Sequence, residues 1–385
     1  MSISGPHIEP GNRILRQFSG FEDHFIRIAF VDDDGQTFRY DPGVDIEPLV
    51  SAHVMPIMTS GFMLSGRRHE YLAYSQSALK QHTFWFVRPF KDANGDSHTA
   101  DTIRLGMGDF SKDERCPPRV AARMSLAFSG TSATSTLLPD ERVQLPDIGG
   151  KGIACMTDGA GTMSVESADA IWRALCQRQG LRNLPPCPSV FQIRLGGDKG
   201  TLLKDPSLGS GRRIVVRDSM VKFAANERFD QVEVCSVFNK PGAAFLNRPL
   251  IMILEARGVS LETFLRLQQN IVEQTERATT NIDSAAALLE SNGLGAAFRL
   301  PELFRQLSRR MADSPNAAAS AFLQLPFVKR LLGLSVNHVL RGLKFRGRIP
   351  IPNSWNLVGV PDVHGVLKEG EIFGELNVIP MLLVW

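Results

Sequence analysis

The segment that most constrains the fold runs from residue 188 to residue 223 and reads PSVFQIRLGGDKGTLLKDPSLGSGRRIVVRDSMVKF. Apolar and polar side chains alternate over residues 190–195, which predicts a strand, and a second short strand is predicted at 214–217. A glycine turn, GGDKG at 196–200, follows the first strand. Because glycine lets a backbone approach a ligand closely, the segment predicts strands whose connecting turn lies near a ligand.

The charge of this segment is mostly positive. Between Arg194 and Lys222 the chain has seven basic residues against three aspartates. The basic residues are Arg194, Lys199, Lys204, Arg212, Arg213, Arg217 and Lys222. Cations concentrated at strand ends and on tight turns favour a polyanionic ligand.

The composition limits the classes of protein to consider. The chain has 385 residues, of which 43% are hydrophobic and 22% charged, as in a globular protein of two or three domains. The net charge of +3 is too small to indicate nucleic-acid binding by itself. No apolar run approaches the ~20 residues of a membrane span, and the N-terminus lacks the apolar core of a signal peptide. Five cysteines without a C-x-x-C pair predict reduced thiols in an intracellular protein, with neither a disulfide framework nor a zinc site.

Two N-terminal patterns have a structural and a functional interpretation. Residues 25–31 predict a strand that ends in Asp32-Asp33-Asp34-Gly35, either a hairpin turn or a metal site, and the Asp-Gly pair favours the turn, with a return strand at 37–40. Residues 71–90 are rich in aromatic side chains, with Lys80 and Arg88 interleaved. Such a cluster can stack bases and hold phosphates, but a hydrophobic core with a solvated rim is favoured.

The middle of the chain predicts a helix, a connector and a strand–turn–helix unit. Residues 117–128 predict a helix entered through prolines, and residues 129–150 are typical of a connector. Residues 153–164 predict a strand that breaks at an Asp-Gly turn, followed by a helix at 167–179 with Ser167 as its N-cap. The glycine spacing fits neither common nucleotide-binding motif, so we exclude a P-loop.

The C-terminal half predicts helices and a one-signed charge pattern. Residues 246–254 predict a buried strand or the start of a helix, and further helices are predicted at about 260–290, 301–313 and 317–344. From Ser314 to Pro361 there is no acidic residue. The basic residues in this window are Lys329, Arg330, Arg341, Lys344, Arg346 and Arg348. They predict a surface for a phosphate backbone; the alternative is a cationic face that pairs with another part of the protein.

Residues 348–373 predict short strands and hairpin turns of a β-barrel, and the apolar tail 374–385 shows neither a turn nor a cap. The β-barrel whose strands begin at residue 348 is therefore expected to be incomplete.

Eight motifs, in order, resemble the eukaryotic cell-encoded RNA-dependent RNA polymerases of RNA silencing, and their run is most similar to the fungal branch. The motifs are DHFIRIAFVDDDG (23–35), YLAYSQSALKQHTFWF (71–86), RVAARMSLAFSGT (119–131), MTDGAGTMS (156–164), PSVFQIRLGGDKGTL (188–202), RDSMVKF (217–223), LNRPLI (246–251) and RIPIPNSWNLVGVPDVHGVLKEGEIF (348–373).

The resemblance implies an α+β fold with two double-psi β-barrels joined by helices. It implies an N-terminal strand and helix region at 1–144, the first barrel at 145–256, a helical connector at 257–346 and the start of a truncated second barrel at 347–385. The tail 374–385 is then expected to be foreign to the family, the read-through or frameshifted end of a shortened gene.

The resemblance also implies site residues. Lys199 and Lys222 would contact phosphates of RNA or of an incoming nucleoside triphosphate, with Arg194 and Arg217 as supporting cations, while Asp158 would have a structural role in its turn. The partners would be an RNA template, nucleoside triphosphates, and silencing proteins or a chain that completes the second barrel, in the nucleus or cytoplasm and without a membrane.

The family's catalytic loop, D-x-D-G-D, holds magnesium ions in the second barrel, and this sequence does not contain it. We therefore expect no metal bound by this chain and no activity of the chain alone. The alternative is an RNA-binding remnant or split subunit without catalysis.

Overall fold

The computed structural model describes residues 11–33, 35, 43, 45–149, 155–226, 230–238, 241–311, 316–376 and 379–384. The chain divides into two compact units. The larger unit comprises Met1–Lys240 and Val358–Trp385, and the smaller unit comprises Pro241–Leu357.

The larger unit begins with a four-stranded antiparallel sheet and short helices. The strands of this region are β1 (Phe25–Ala29), β2 (Phe62–Leu64), β3 (Arg67–Ala73), β4 (Thr83–Val87), β5 (Phe90–Lys91), β6 (Ser97–His98) and β7 (Gly108–Asp109). Its α-helices are α1 (Arg13–Gln17), α2 (Glu47–Leu49), α3 (Met55–Ser60), α4 (Gln76–Leu79), α5 (Ala100–Leu105) and α6 (Pro117–Met124), and a π-helical turn at Val50–Val54 joins α2 to α3. The sheet has the order β1-β4-β3-β2.

For the two N-terminal patterns at 32–35 and 71–90, the observed contacts support the structural interpretation. Trp85 and Phe90 are buried in one core, and Phe86 is 0% exposed and packs edge-on against Phe62, so the favoured interpretation of residues 71–90 as a hydrophobic core is confirmed. The amide of Gly35 donates to the carbonyl of Asp32 at 2.8 Å, which confirms the turn. The return strand predicted at 37–40 lies outside the described residues.

A seven-stranded mixed sheet follows. Its strands are β8 (Ser132–Thr136), β9 (Arg142–Leu145), β10 (Ala160–Met163), β11 (Val190–Leu195), β12 (Asp198–Lys204), β13 (Ile214–Arg217) and β15 (Gln231–Phe238), and the short β14 (Ala224–Ala225) pairs with β7 instead. The order is β8-β15-β11-β12-β10-β13-β9, with β10 parallel to β12 and β13 parallel to β9. The strands predicted at 190–195 and 214–217 are confirmed. The connector predicted at 129–150 is wrong, because β8 and β9 find their partners only in distant parts of the chain.

The sheet is strongly curled. Strand β9 is three strands away from β12, and through Ile214 and Met163 its Arg142 is in register with Lys204, at the opposite end of β12 from Asp198. A flat sheet would therefore separate Arg142 from Asp198 by roughly 14 Å across the strands and about 20 Å along them. Nevertheless the guanidinium of Arg142 on β9 lies 2.9 Å from the carboxylate of Asp198 on β12. This contact requires the sheet to fold back toward itself.

Helix α7 (Val165–Arg178) covers one side of this sheet and shares its core. Ile171 and Leu175 of the helix are buried with Phe191 and Leu202 of the sheet. The helix begins earlier than predicted, because Ser164 and not Ser167 is the N-cap: the Ser164 hydroxyl accepts from the amide of Ser167 at 3.2 Å. Ser167 is instead buried, and its hydroxyl donates to the carbonyl of Arg213 at 3.2 Å.

The smaller unit is mainly helical. Its elements are β16 (Gly242–Phe245), α8 (Arg248–Ala256), α9 (Leu261–Arg277), α10 (Ile282–Ser291), α11 (Leu300–Met311), α12 (Asn316–Gln324), α13 (Pro326–Arg346) and β17 (Pro350–Asn356), with β16 antiparallel to β17.

Of the two alternatives for residues 246–254, the start of a helix is confirmed, because the Asn247 side chain caps α8 by accepting from the amide of Leu250 at 3.0 Å. Two other predictions for the smaller unit need correction. The helix predicted at 260–290 is two helices, since Asn281 caps a new one by accepting from the amide of Ser284. The helix predicted at 317–344 is also two helices, and the second begins at Pro326, a residue suited to a first turn.

The C-terminal segment contains a hairpin. Strand β18 (Glu371–Leu376) is antiparallel to β19 (Ile379–Val384), in a register that places Glu371 opposite Val384. Residues 374–385 contain no sequence signal that predicts this strand pair. The apolar residues of the tail become a strand because the preceding segment offers them a partner.

Candidate functional site

A cavity of about 840 Å³ in the larger unit combines residues of α4, α6 and the seven-stranded sheet. Its lining residues are Gln76, Ser77, Lys80, Gln81, Ala122, Arg123, Leu126, Lys199 and Lys222. Four of these nine side chains are cationic and none is acidic, so the cavity has a positive potential suited to an anion.

Lys199 reaches the cavity because of the period of its strand. It is the second residue of β12, and its side chain lies on the opposite face from that of Asp198, which is buried against Arg142. Partial burial lowers the pKa of Lys199, and the nearby positive charges of Arg194 and Lys222 lower it further. An anion bound in the cavity would relieve this repulsion.

Lys222 follows the short 3₁₀ turn Asp218–Met220. Its amide donates to the carbonyl of Gly197 at 3.0 Å, and its ammonium donates to the carbonyl of Ser219. These contacts hold both ends of the residue, so the charge of Lys222 has a fixed place beside the turn that leads to Lys199.

Asp147 anchors the turn that positions Lys222. Its carboxylate accepts from the amide of Ser219 at 2.8 Å, from the Ser219 hydroxyl at 2.7 Å and from the Thr157 hydroxyl at 2.8 Å. Burial tends to raise the pKa of Asp147, but these hydrogen bonds outweigh it and hold the pKa below its ordinary value. The neighbouring Asp158 is exposed within the turn 156–159. Asp147 is the organising carboxylate that the sequence did not single out.

The glycines of the GGDKG turn make room for the protein's own backbone. A Cβ on Gly197 would lie 1.8 Å from the carbonyl oxygen of Phe223, and a Cβ on Gly200 would lie 2.3 Å from that of Gly159. Gly196 has a φ of +53°, the left-handed conformation that a tight turn uses. The expectation that these glycines admit a ligand is therefore wrong for Gly197 and Gly200, since chain crossings occupy that space.

Arg194 and Arg217 are placed apart from the cavity lining. Arg194 is 7% exposed and donates to the carbonyl of Ile193 at 2.8 Å, and Arg217 is 8% exposed and donates to the carbonyl of Pro146 at 2.9 Å. Arg194 still contributes its charge to the surroundings of Lys199. The structure therefore brings Lys199 and Lys222 together and places the two arginines within the supporting sheet.

Two further cations of the cavity were not predicted as site residues. Arg123 lies in the last turn of α6 and its Nε lies 3.3 Å from the carboxylate of Asp113, while Lys80 directly follows α4. The interleaving of Lys80 with aromatic residues is the only sequence signal for this pair. Nothing in the local pattern relates residues 80 and 123 to residue 199, because tertiary packing alone brings them near.

The predicted cationic surface lies in the smaller unit. Five of its six residues belong to α13, and Arg348 follows that helix. A second cavity, of about 1160 Å³, is lined by Arg341, Arg346 and Arg348, whereas Lys329, Arg330 and Lys344 lie outside its lining.

In the described parts of the chain, no group of three or more His, Cys, Asp or Glu side chains is placed to hold a metal ion. These residues therefore do not fit a magnesium site. None of the described helices is both long enough and apolar enough to cross a membrane.

Comparison with known proteins agrees with the resemblance seen in the sequence. The chain is 30% identical over 393 residues to RNA-dependent RNA polymerase 6 of Arabidopsis thaliana, covering 97% of this chain and 30% of that protein. It is 30% identical over 369 residues to RNA-dependent RNA polymerase 1 of Schizosaccharomyces pombe, covering 94% of this chain and 28% of that protein. The chain thus spans less than a third of either relative.

The fold is similar to that of the RNA dependent RNA polymerase QDE-1 from Thielavia terrestris, with a TM-score of 0.65, 19% identity, and coverage of 97% of this chain and 43% of that chain. A sequence model of the family described as RNA dependent RNA polymerase matches residues 1–380. The expectation that the tail is foreign to the family is therefore wrong for residues 374–380. The chain belongs to the RNA-dependent RNA polymerase family, whose members are nucleotidyltransferases.

Proposed function

We propose that this chain forms the phosphate-binding part of a template-directed RNA polymerase of RNA silencing, which makes double-stranded RNA from a single-stranded template. The observation that supports this most directly is the convergence of Lys199, Lys222, Arg123 and Lys80 on one cavity without an acidic lining residue. The lysines are compact charges for phosphate oxygens, and Arg123 can grip two oxygens at once.

Lys199 and Lys222 have different surroundings, and these indicate different roles. Lys222 is fixed by its hydrogen bonds to Gly197 and Ser219, which suits a constant contact with an RNA phosphate. Lys199 has a lowered pKa and several cationic neighbours, so its full charge is favoured once an anion arrives. We infer that Lys199 responds to the incoming polyanion and that Lys222 holds its position throughout. Arg194 and Arg217 would act as supporting cations, Arg194 through its charge and Arg217 by holding the backbone at Pro146.

The seven-stranded sheet is best explained as the first of two double-psi β-barrels. The curl that brings Arg142 to Asp198 and the close backbone crossings at Gly161, Gly197 and Gly200 support this assignment. Because β8 and β9 belong to this sheet, the barrel is proposed to begin at about residue 132 instead of 145 and to end at 256. The other proposed boundaries are 257–346 for the helical connector and 347–385 for the start of the second barrel.

We infer that the 385 residues alone bind RNA and nucleotide phosphates without transferring nucleotides. Magnesium ions in this chemistry activate the attacking oxygen and stabilise the leaving pyrophosphate. The sequence has no D-x-D-G-D, and the described residues do not fit a magnesium site. A chain that carries the second barrel would be the partner required for turnover.

The test is a binding assay with a fluorescein-labelled single-stranded RNA. Lys199→Ala and Lys222→Ala are each expected to weaken binding by about 5- to 10-fold with little change in thermal unfolding. Lys204→Ala is the matched control, because Lys204 belongs to the same strand but lies on its opposite face and outside the cavity lining. Equal binding by all three variants would show that the assignment of the cavity is wrong.

Turnover is measured separately, as incorporation of labelled nucleotides by this chain with magnesium present. We expect none above background. Template-dependent incorporation would contradict the inferred lack of transfer, while leaving the role of the cavity to the binding assay.

A further inference from the structure

The second cavity lies within the smaller unit, between faces of α9 and α13 and beside β17. Its volume of about 1160 Å³ exceeds the range for small-molecule pockets, roughly 300–1,000 Å³. It is therefore large enough for more than one nucleotide-sized group.

Regular helical spacing builds both walls. On α13 the lining residues Asn337, Arg341 and Phe345 follow one another at intervals of four, so they form one stripe. On α9 the lining residues Asn270 and Gln274 have the same interval, with Ile271 between them. The two stripes place side-chain amides on both walls over an apolar floor that includes Ile271 and the buried Val339.

The charge of this cavity has one sign. Arg341, Arg346 and Arg348 are exposed, and none of them forms an ion pair with another described residue. None of the lining residues that the structure describes is acidic. A solvated helix face usually mixes both signs, so three such arginines around one cavity indicate an anionic ligand.

Aromatic rings stand beside these cations. The guanidinium of Arg348 lies 3.7 Å from the ring centroid of Phe245, and both residues line the cavity. Phe345, also in the lining, is 54% exposed although it is a large apolar side chain. Exposed rings and guanidinium planes are the platforms on which unpaired bases stack.

We propose that this cavity, which we call the connector groove, binds a single-stranded segment of RNA. The arginines contact phosphates, Phe345 and the Arg348–Phe245 pair offer stacking surfaces, and the amides of Asn270, Gln274 and Asn337 meet base edges. The proposal rests on the proposed function and deepens it, since it adds a second contact with the same RNA.

The chemistry favours this ligand over two others. An acidic peptide could pair its carboxylates with the arginines and its backbone with the amides, but without aromatic side chains it leaves the stacking surfaces unused. A double helix keeps its bases stacked on one another, so their faces cannot reach the stacking surfaces. Unpaired RNA alone uses all three kinds of lining group.

The test compares two double variants that remove the same charge from the same helix. Arg341→Ala/Arg346→Ala changes the connector groove, and Lys329→Ala/Arg330→Ala is the control outside it. For a single-stranded RNA of about 12 nucleotides, the groove variant is expected to weaken binding by about 10-fold. It should also reduce the slope of log affinity against log salt concentration by about 1.4, because each of the two lost phosphate contacts contributes ~0.7. The control is expected to change binding by less than about 2-fold. Equal losses in the two variants would overturn the proposal and indicate a diffuse electrostatic surface.

Two further readouts identify the ligand class. RNA that contains 4-thiouridine should crosslink to peptides of α13 or α9, and an abasic oligonucleotide should bind the groove more weakly than its parent. Abasic and parent RNA bound with equal affinity, or displacement of RNA by polyglutamate at equal charge concentration, would overturn the assignment to unpaired RNA.

The Lys199→Ala/Lys222→Ala double variant separates this proposal from the proposed function. If it loses affinity while the groove variant does not, the connector groove is wrong and the first cavity stands. If only the groove variant loses affinity, the proposed function of the first cavity fails and the groove's role in RNA binding is supported.

Discussion

The guanidinium of Arg13 lies 2.9 Å from the carboxylate of Glu233, although 220 residues separate them in the chain. Both side chains are nearly inaccessible to solvent, and Arg16 contacts the second oxygen of Glu233. Arg13 also donates to the carbonyl of Gly196, in the turn that leads to Lys199. Helix α1 is therefore attached to β15 and to the turn that leads to Lys199 in the cationic cavity.

Loss of Glu233 should destabilise the larger unit strongly. In Glu233→Ala two arginines lose their shared acceptor, and removing one partner of a buried pair typically costs about 3–5 kcal/mol. The exposed pair Arg305–Glu290 offers a control, because Glu290→Ala should cost less than about 1 kcal/mol. Urea unfolding of both variants measures the difference. Similar losses of unfolding free energy in the two variants would show that the buried pair stabilises the protein no more than the exposed pair does.

The crossing at Gly197 should not tolerate a methyl group. Gly197→Ala would place its Cβ 1.8 Å from the Phe223 carbonyl oxygen, so the backbone between Lys199 and Lys222 must shift. We expect a loss of at least about 3 kcal/mol, as for severe overpacking, together with weaker RNA binding. Gly333→Ala is the contrasting change, since no atom lies within 4 Å of its Cβ and alanine favours a helix by up to about 1 kcal/mol. Normal stability of Gly197→Ala would contradict the close crossing.

The carboxylate of Asp147 should make stability depend on acid pH. Its folded-state pKa lies below the unfolded value, so its contribution is fully present above the unfolded pKa and is lost as the pH falls through the folded pKa. Asp147→Asn should be less stable than the native chain by about 1–2 kcal/mol at neutral pH. The deficit should shrink progressively in acid, which unfolding by urea at several pH values would show. A deficit that does not change with pH would rule out a role for the charge.

Because its pKa is lowered, loss of the proton from Lys199 should weaken RNA binding at alkaline pH. Burial and the charges of Arg194 and Lys222 make Lys199 lose its proton below the ordinary lysine value of about 10.4. Because the unfolded chain then binds more protons than the folded one, stability rises with pH in that window while binding falls. Lys199→Arg keeps the charge and should maintain binding to higher pH. If RNA affinity falls at the same alkaline pH in the native chain and in Lys199→Arg, this role of Lys199 is contradicted.

The proximity of Lys199 and Lys222 was predictable because they lie in a compact segment with a recognisable pattern. The strand alternation at 190–195 and the glycine turn bring the two lysines within 36 residues of chain that fold together. Arg123 and Lys80 were not predictable as partners, since only the packing of α4 and α6 near the sheet places them on the same cavity. The same limit explains β8 and β9, whose short polar sequences are typical of a connector until a distant strand pairs with them.

The sequence by itself determined the family, the short strands of the central segment, the helical character of residues 260–344 and the regions where positive charge accumulates. These properties depend on local order along the chain, so pattern and composition reveal them. The tertiary structure decided which cations meet, that Arg194 and Arg217 lie buried, and that Gly197 and Gly200 serve backbone crossings. It also decided that Arg341, Arg346 and Arg348, three of the six basic residues between residues 314 and 361, line the connector groove. These outcomes depend on contacts between residues far apart in sequence, and no local pattern contains them.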